Sequence, residues 1–155
     1  MYPATFANIS PKRPAAVSAQ TGETVTFGQL DERSARLAGL FRAHGLQMGD
    51  AVAVYLENHL SYFEVAWAAL RSGLYMVTVS RHATADDVAY VIADSGAKAV
   101  VTSTSLVETA ERCMADIPNC QLRLLVGGEQ RGWTSLASAR DASDCLLYTS
   151  DAADE

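Results

Sequence analysis

No run of about 18 or more apolar residues occurs in the chain, so no bilayer-spanning helix is expected. The opening MYPATFANISPKRP has no apolar h-region, which excludes the usual secretory signal. Only three cysteines are present, Cys113, Cys120 and Cys145, and they fit neither a metal-ligand spacing nor an even disulfide framework. Reduced thiols follow, and with them a cytoplasmic setting, contact with a membrane surface being left open. A basic excess is also missing. The 12 Lys and Arg face 18 Asp and Glu, a net charge of −6 that argues against a nucleic-acid partner. Phosphate loops of the G-x-G-x-x-G or G-x-x-x-x-G-K-[ST] type do not occur either, and Gly127-Gly128 reads as a turn.

What remains is ordinary for a globular protein, with 49% hydrophobic and 19% charged residues in 155, enough for one domain or part of a larger one. Ala15 to Ala19 and Thr24-Val25-Thr26 read as short strands around the turn signal Thr21-Gly22, a small hairpin. Thr26 with Gln29 forms a capping box, which satisfies free N–H groups at a helix start. That helix carries Leu30, Leu37 and Phe41 on one stripe, interrupted by Ser34, and Gly45 can end it. Apolar runs then alternate with helical patterns. Ala51 to Leu56 is a strand, Leu60, Phe63, Trp67 and Leu70 lie at helical spacing, and Leu74 to Val79 is a second strand. Thr84 and Asp87 cap a helix that buries Val88, Val91 and Ile92. Ala99 to Thr102 is a strand, Ser105 and Glu108 open a helix through Leu106, Ala110 and Cys113, and Gln121 to Val126 is a last strand. Past Gly127 the pattern is loop-like, with one short helix near Leu136. Continuous apolar strands between amphipathic helices predict an α/β fold, a mostly parallel sheet with helices on both faces.

Candidate chemistry is sparse. His44 and His59 flank helix ends and have no second ligand at motif spacing. The Asp86-Asp87 pair fits the first turn of a helix better than a metal site. Trp67, Tyr62 and Phe63 read as core and half-buried helix surface. Ser80, Arg81 and His82 differ by position. They follow a strand of a parallel sheet, where ligands gather, and Arg81 could meet a phosphate. These three are the candidate cofactor-binding residues. No catalytic or metal-binding residue is assigned.

Three stretches in fixed order resemble the N-terminal part of the adenylate-forming, AMP-binding superfamily. TVTFGQLDERSARLAGLFRAHGLQMGDAVAVYLEN (Thr24 to Asn58) is similar to its opening, with Gln29 where Glu or Asp is usual. YFEVAWAALRSGLYMVTVS (Tyr62 to Ser80) is similar to its A-x-x-(K/R)-x-G segment. Here Thr78 replaces the usual Pro and Ser80 the usual Asn or Asp. TADDVAYVIADSGAKAVVTS (Thr84 to Ser103) is similar to its following helix and strand. The flavour is nearest the fatty-acyl-CoA and aryl-CoA ligases. The resemblance implies an acyl-CoA synthetase that uses ATP, Mg²⁺ and coenzyme A on a small-molecule carboxylic acid, through an acyl-adenylate. It places the phosphate loop, the acidic, Arg and Lys motifs and the acyl pocket later than this stretch. A non-catalytic α/β module that binds a nucleotide or a partner, and a peptide-synthetase adenylation domain, are the alternatives. Acid chain length and oligomeric state are not legible.

The tail CLLYTSDAADE, Cys145 to Glu155, carries a Tyr148-Thr149-Ser150 like the start of the family's phosphate loop. The next residue there should be Gly, whose missing Cβ lets N–H groups close on phosphate. Asp151 would instead put a carboxylate against phosphate, and no Lys follows. The eleven residues resemble a base-for-base translation of the transposase adaptor used in preparing sequencing libraries. We therefore expect residues 1–144 to be a truncated N-terminal AMP-binding fragment and residues 145–155 to be non-native. Without those eleven, 15 acids face 12 bases. Truncation would leave a sheet edge and apolar helix faces uncovered, which favours association.

Overall fold

A computed structural model describes residues 3–114 and 117–143. Helix α1 (Pro3–Ile9) precedes a hairpin of strands β1 (Pro14–Val17) and β2 (Thr24–Thr26). Its strands are antiparallel, and Gly22 turns the chain with a φ of 73°. Helix α2 (Phe27–Ala43) follows at once, and the Thr26–Gln29 capping box is present in both directions. The Phe6 and Phe27 rings stack with centroids 4.9 Å apart, which seats α1 on the start of α2.

The main sheet is built from β3 (Ala51–Tyr55), β4 (Tyr75–Thr78), β5 (Ala99–Ser103), β6 (Leu122–Val126) and β7 (Thr134–Ser135). Its order is β4-β3-β5-β6-β7, and all four pairings are parallel. Helices α3 (Ser61–Arg71), α4 (Ala85–Asp94) and α5 (Val107–Met114) make the crossovers, and α6 (Leu136–Asp141) follows β7. The expected α/β architecture is therefore present.

The strands read as unbroken apolar runs because both faces are covered. Val52 and Val54 of β3 join Leu37, Phe41, Val65 and Ala68 in one core cluster beneath α2 and α3. Ala53 and Tyr55 turn to the opposite face and join Val88, Ile92 and Ala110 of α4 and α5. Side chains alternate along a strand, so two separate cores need apolar residues at every position.

Four expectations change in detail. On α3, Leu60 is buried and Trp67 half-buried, but Phe63 and Leu70 are exposed. The buried face is instead Val65, Ala68 and Ala69, together with Glu64 and Arg71. Small alanines let α3 approach the sheet, and its other neighbour, α2, is met through charge. Val91 of α4 is only half-buried. Ser105 and Glu108, read as opening α5, are engaged elsewhere. The Ser105 hydroxyl lies 2.9 Å from that of Ser103, and the Glu108 carboxylate accepts from Arg112 at 2.6 Å. Finally, the loop-like stretch after Gly127 contains β7, whose two residues are too few to leave a periodic signal.

Three helices are tied by ion pairs built around the buried Glu64 and Arg71 of α3. Glu64 of α3, 2% exposed, accepts from Arg140 of α6 at 2.6 Å and from Arg33 of α2 at 3.0 Å. Arg71 of α3 donates to Asp31 of α2 at 2.6 Å and to the buried Ser34 hydroxyl at 3.0 Å. Burial alone would weaken the charge on Arg140, but Asp141 and Glu64 outweigh it and hold the guanidinium protonated. Arg36 of α2 adds a bond to the Ser143 carbonyl, just past α6, at 3.1 Å.

Candidate functional site

In an open parallel sheet, loops collect at the carboxyl ends of the strands, and ligands gather where the strand order reverses. Here the chain passes from β3 outward to β4, then back across β3 to β5. Two neighbouring groups of residues occupy this end of the sheet.

The first is a cleft of about 840 Å³ beside the ends of β3 and β4. The hairpin contributes residues 17–20, the segment from β3 into α3 contributes Leu56, Asn58, His59 and Phe63, and the end of β4 contributes residues 78–81. Ser80 and Arg81 therefore line a cavity, whereas His82 is not among its lining residues. The three remain linked: the His82 N–H donates to Ser80 Oγ at 3.3 Å, and Arg81 Nε donates to His82 Nε2 at 3.1 Å. His82 thus orients the guanidinium rather than facing the cleft itself. Its ring nitrogen must be the unprotonated acceptor for this bond.

His59 also has a defined role. Helix α3 begins at Leu60 without a side-chain cap, and His59 Nδ1 accepts the Ser61 N–H at 3.1 Å instead. The proton of a neutral imidazole then sits on Nε2. His44 Nδ1 lies 2.9 Å from the Leu40 carbonyl at the end of α2, a local contact away from the strand ends. Asp87 is held below the usual carboxylate range by the Thr84 hydroxyl and N–H, as an acid in a capping box should be.

The second group lies between the ends of β3 and β5. Ser103 Oγ donates to Glu57 Oε2 at 2.6 Å, and the Ser103 and Ser105 hydroxyls are 2.9 Å apart. Partial burial alone would raise the pKa of Glu57. Bonds from Ser103, from its own backbone and from Ser105 outweigh burial and lower it. Glu57 is therefore an ionised clamp across the switch point. Sequence reading missed it because its partner is 46 residues away. The available signal was a charged residue directly after an apolar strand.

Among the described residues no cluster is assembled to hold Mg²⁺, and Gly127-Gly128 forms no phosphate loop. Nowhere among those residues do three His, Cys, Asp or Glu side chains lie together. The one acid at the switch point, Glu57, already accepts hydroxyl hydrogens. Gly127 has a left-handed φ of 89°, but Thr104 fills the space beside the pair. A Cβ on Gly128 would lie 2.8 Å from Thr104 Cγ2. These glycines admit a packed side chain and offer no cradle to phosphate. The tail Cys145 to Glu155 lies outside the described residues.

A family model, that of the AMP-binding enzymes, matches residues 4–153. Long-chain fatty acid transport protein 1 of Homo sapiens is 34% identical over 97 residues, 63% of this chain and 15% of its own length. The long-chain-fatty-acid–CoA ligase of Yersinia pestis is 37% identical over 92 residues, 59% of this chain and 16% of its own. A crystal structure from Rhodopseudomonas palustris CGA009, assigned to the long-chain-fatty-acid CoA ligases, superposes with a TM-score of 0.84. That match covers 94% of this chain and 36% of the other at 22% identity, a likeness of fold. The chain thus spans only a small part of each of these proteins.

Proposed function

We propose, for a chain that belongs to the AMP-binding enzyme family, that it is the N-terminal part of an ATP-dependent acyl-CoA synthetase. In that reaction a carboxylate oxygen attacks the α-phosphate of ATP, releasing pyrophosphate and leaving an acyl-adenylate. The thiol of coenzyme A then attacks the acyl carbon, and AMP leaves. The family match carries this reading, supported by the names of relatives that are fatty-acid–CoA ligases. Mg²⁺ would neutralise phosphate charge in such a reaction. Its ligands, like the phosphate loop and the acyl pocket, belong to parts of the parent outside the described residues.

What these residues supply is a rigid wall. The sheet and its ion-paired helices fix the ends of β3, β4 and β5, and so the place of Arg81, His59 and Glu57. Arg81 offers a fixed positive charge at the cleft, with Ser80 beside it. Residues 145–155 fit adaptor-encoded sequence: the family match runs through them, but Asp151 contradicts the phosphate loop that Tyr148-Thr149-Ser150 would open. The chain as written is accordingly inactive. The check is a turnover assay with ATP, Mg²⁺, coenzyme A and a panel of aliphatic and aromatic acids. We expect no acid-dependent release of pyrophosphate above background. Clear acid-dependent release would refute the inactivity.

A further inference from the structure

The main sheet ends on one side at β4, which pairs with β3 alone among the described residues. The Tyr75 N–H is bound to the Asp50 carbonyl at 2.8 Å, and the Val79 N–H to the Val54 carbonyl at 2.9 Å. Tyr75, Val77 and Val79 thus turn their backbone groups toward β3. Met76 and Thr78 alternate with them and turn theirs to the open side. Such an edge is a template for another strand unless something blunts it. Residues 72–80, SGLYMVTVS, contain no Lys, Asp, Glu or Pro to do so. The opposite edge, β7, has only two residues, Thr134 and Ser135, and is too short to serve.

Apolar side chains gather at both ends of β4. Of the seven large apolar residues exposed among the described residues, five lie there. Met48, Leu70 and Tyr75 cluster at its start. Met48 packs on Gly73, its Cγ 2.8 Å from where a Cβ would stand, and the Gly73 N–H is bound to the Leu70 carbonyl at 3.3 Å. Val17 and Phe63 line the cleft beside its end.

A second copy of the chain fits both features. Let two β4 strands pair antiparallel about a two-fold axis at Val77. Met76 of each then faces Thr78 of the other, and both residues bring free N–H and C=O groups to the pair. The same axis sets the Met48, Leu70 and Tyr75 end of one copy against the Val17 and Phe63 end of the other. Charge favours the same occupant. In an isologous contact a patch meets itself, and like charges opposed across strands repel. A chain of net charge −6 pairs with itself best through a stretch without charge, as residues 72–80 are. A charged peptide would find no counter-charge on this strand.

We propose that β4 is a homodimer interface, at which two copies join their five-stranded sheets into one. The interface is independent of the ligase reading, and its failure would leave the family and the parent's reaction untouched.

The test is sedimentation equilibrium of the 155-residue chain, joined to amide hydrogen exchange at low and high chain concentration. We expect a monomer–dimer equilibrium that closes at the dimer. Raising the concentration should slow exchange of the Met76 and Thr78 amides. Those of Tyr75 and Val77, already bonded to β3, should not change. Thr78→Pro removes an N–H that faces away from β3 and should weaken the dimer about tenfold, since symmetry counts the lost hydrogen bond twice. Tyr75→Lys, at a side chain 69% exposed, puts a blunting charge on the edge and should weaken it as well. Circular dichroism verifies that both variants fold. A chain that stays monomeric, association that runs past the dimer, unslowed Met76 and Thr78 exchange, or an equally tight dimer in both variants would each overturn the proposal.

Discussion

Replacing Glu64 by alanine lowers the unfolding free energy by about 3–5 kcal/mol, the range for breaking a buried ion pair from one side. Glu64 is 2% exposed, and Arg140, its nearer partner, is 9% exposed at the side chain. Removing the carboxylate leaves that guanidinium desolvated, with only the exposed Asp141 at 2.8 Å to offset it. Arg33 is 32% exposed and can turn to water, so its share of the loss is small. Most of the penalty is thus the stranded charge of Arg140. The double variant Glu64→Leu with Arg140→Met removes both charges and should recover most of the loss, since apolar replacement of a buried pair is often neutral. Urea unfolding followed by circular dichroism reads both. A single-variant loss below about 1 kcal/mol would show that the pair is not buried in solution.

Phe41→Ala should cost about 3–5 kcal/mol, by loss of transfer energy and by leaving a cavity. Its side chain is fully buried among Leu37, Val52, Val54 and Val65, between α2 and the sheet. The cost is large because the surrounding strand is also covered on its opposite face by α4 and α5. The backbone cannot settle into the void without disturbing a second core. Phe41→Leu, which keeps most of the volume, should cost less than half as much. The same urea titration decides it, and equal losses for the two variants would contradict the packing described.

Features set by neighbours in sequence were legible; those set by distant partners were not. The capping boxes at Thr26 and Thr84 need a partner three residues on, and both formed. The strands were legible because burial on two faces demands apolar residues throughout. Glu64 and Arg71 were not singled out as core, since charged residues are seldom buried without partners. Their partners Arg140 and Asp31 are 76 and 40 residues away. Position at a strand end singled out Ser80 and Arg81 and would equally have singled out Glu57. It could not indicate that the β1–β2 hairpin folds back to wall the cleft, because that contact is tertiary. His82 separated from its neighbours for a similar reason: consecutive residues in a loop need not face one way.

On our proposal, this chain opens an acid–thiol ligase whose phosphate loop follows Asp144 in the native gene. Reading the native gene past the codon for Asp144 tests it most directly. We expect other residues in place of Cys145 to Glu155, and a loop rich in Gly, Thr and Lys within a few dozen codons. A native gene that encodes Asp-Ala-Ala-Asp-Glu without interruption, or a stop codon directly after Asp144, would contradict it; a stop codon would leave a non-catalytic binding module.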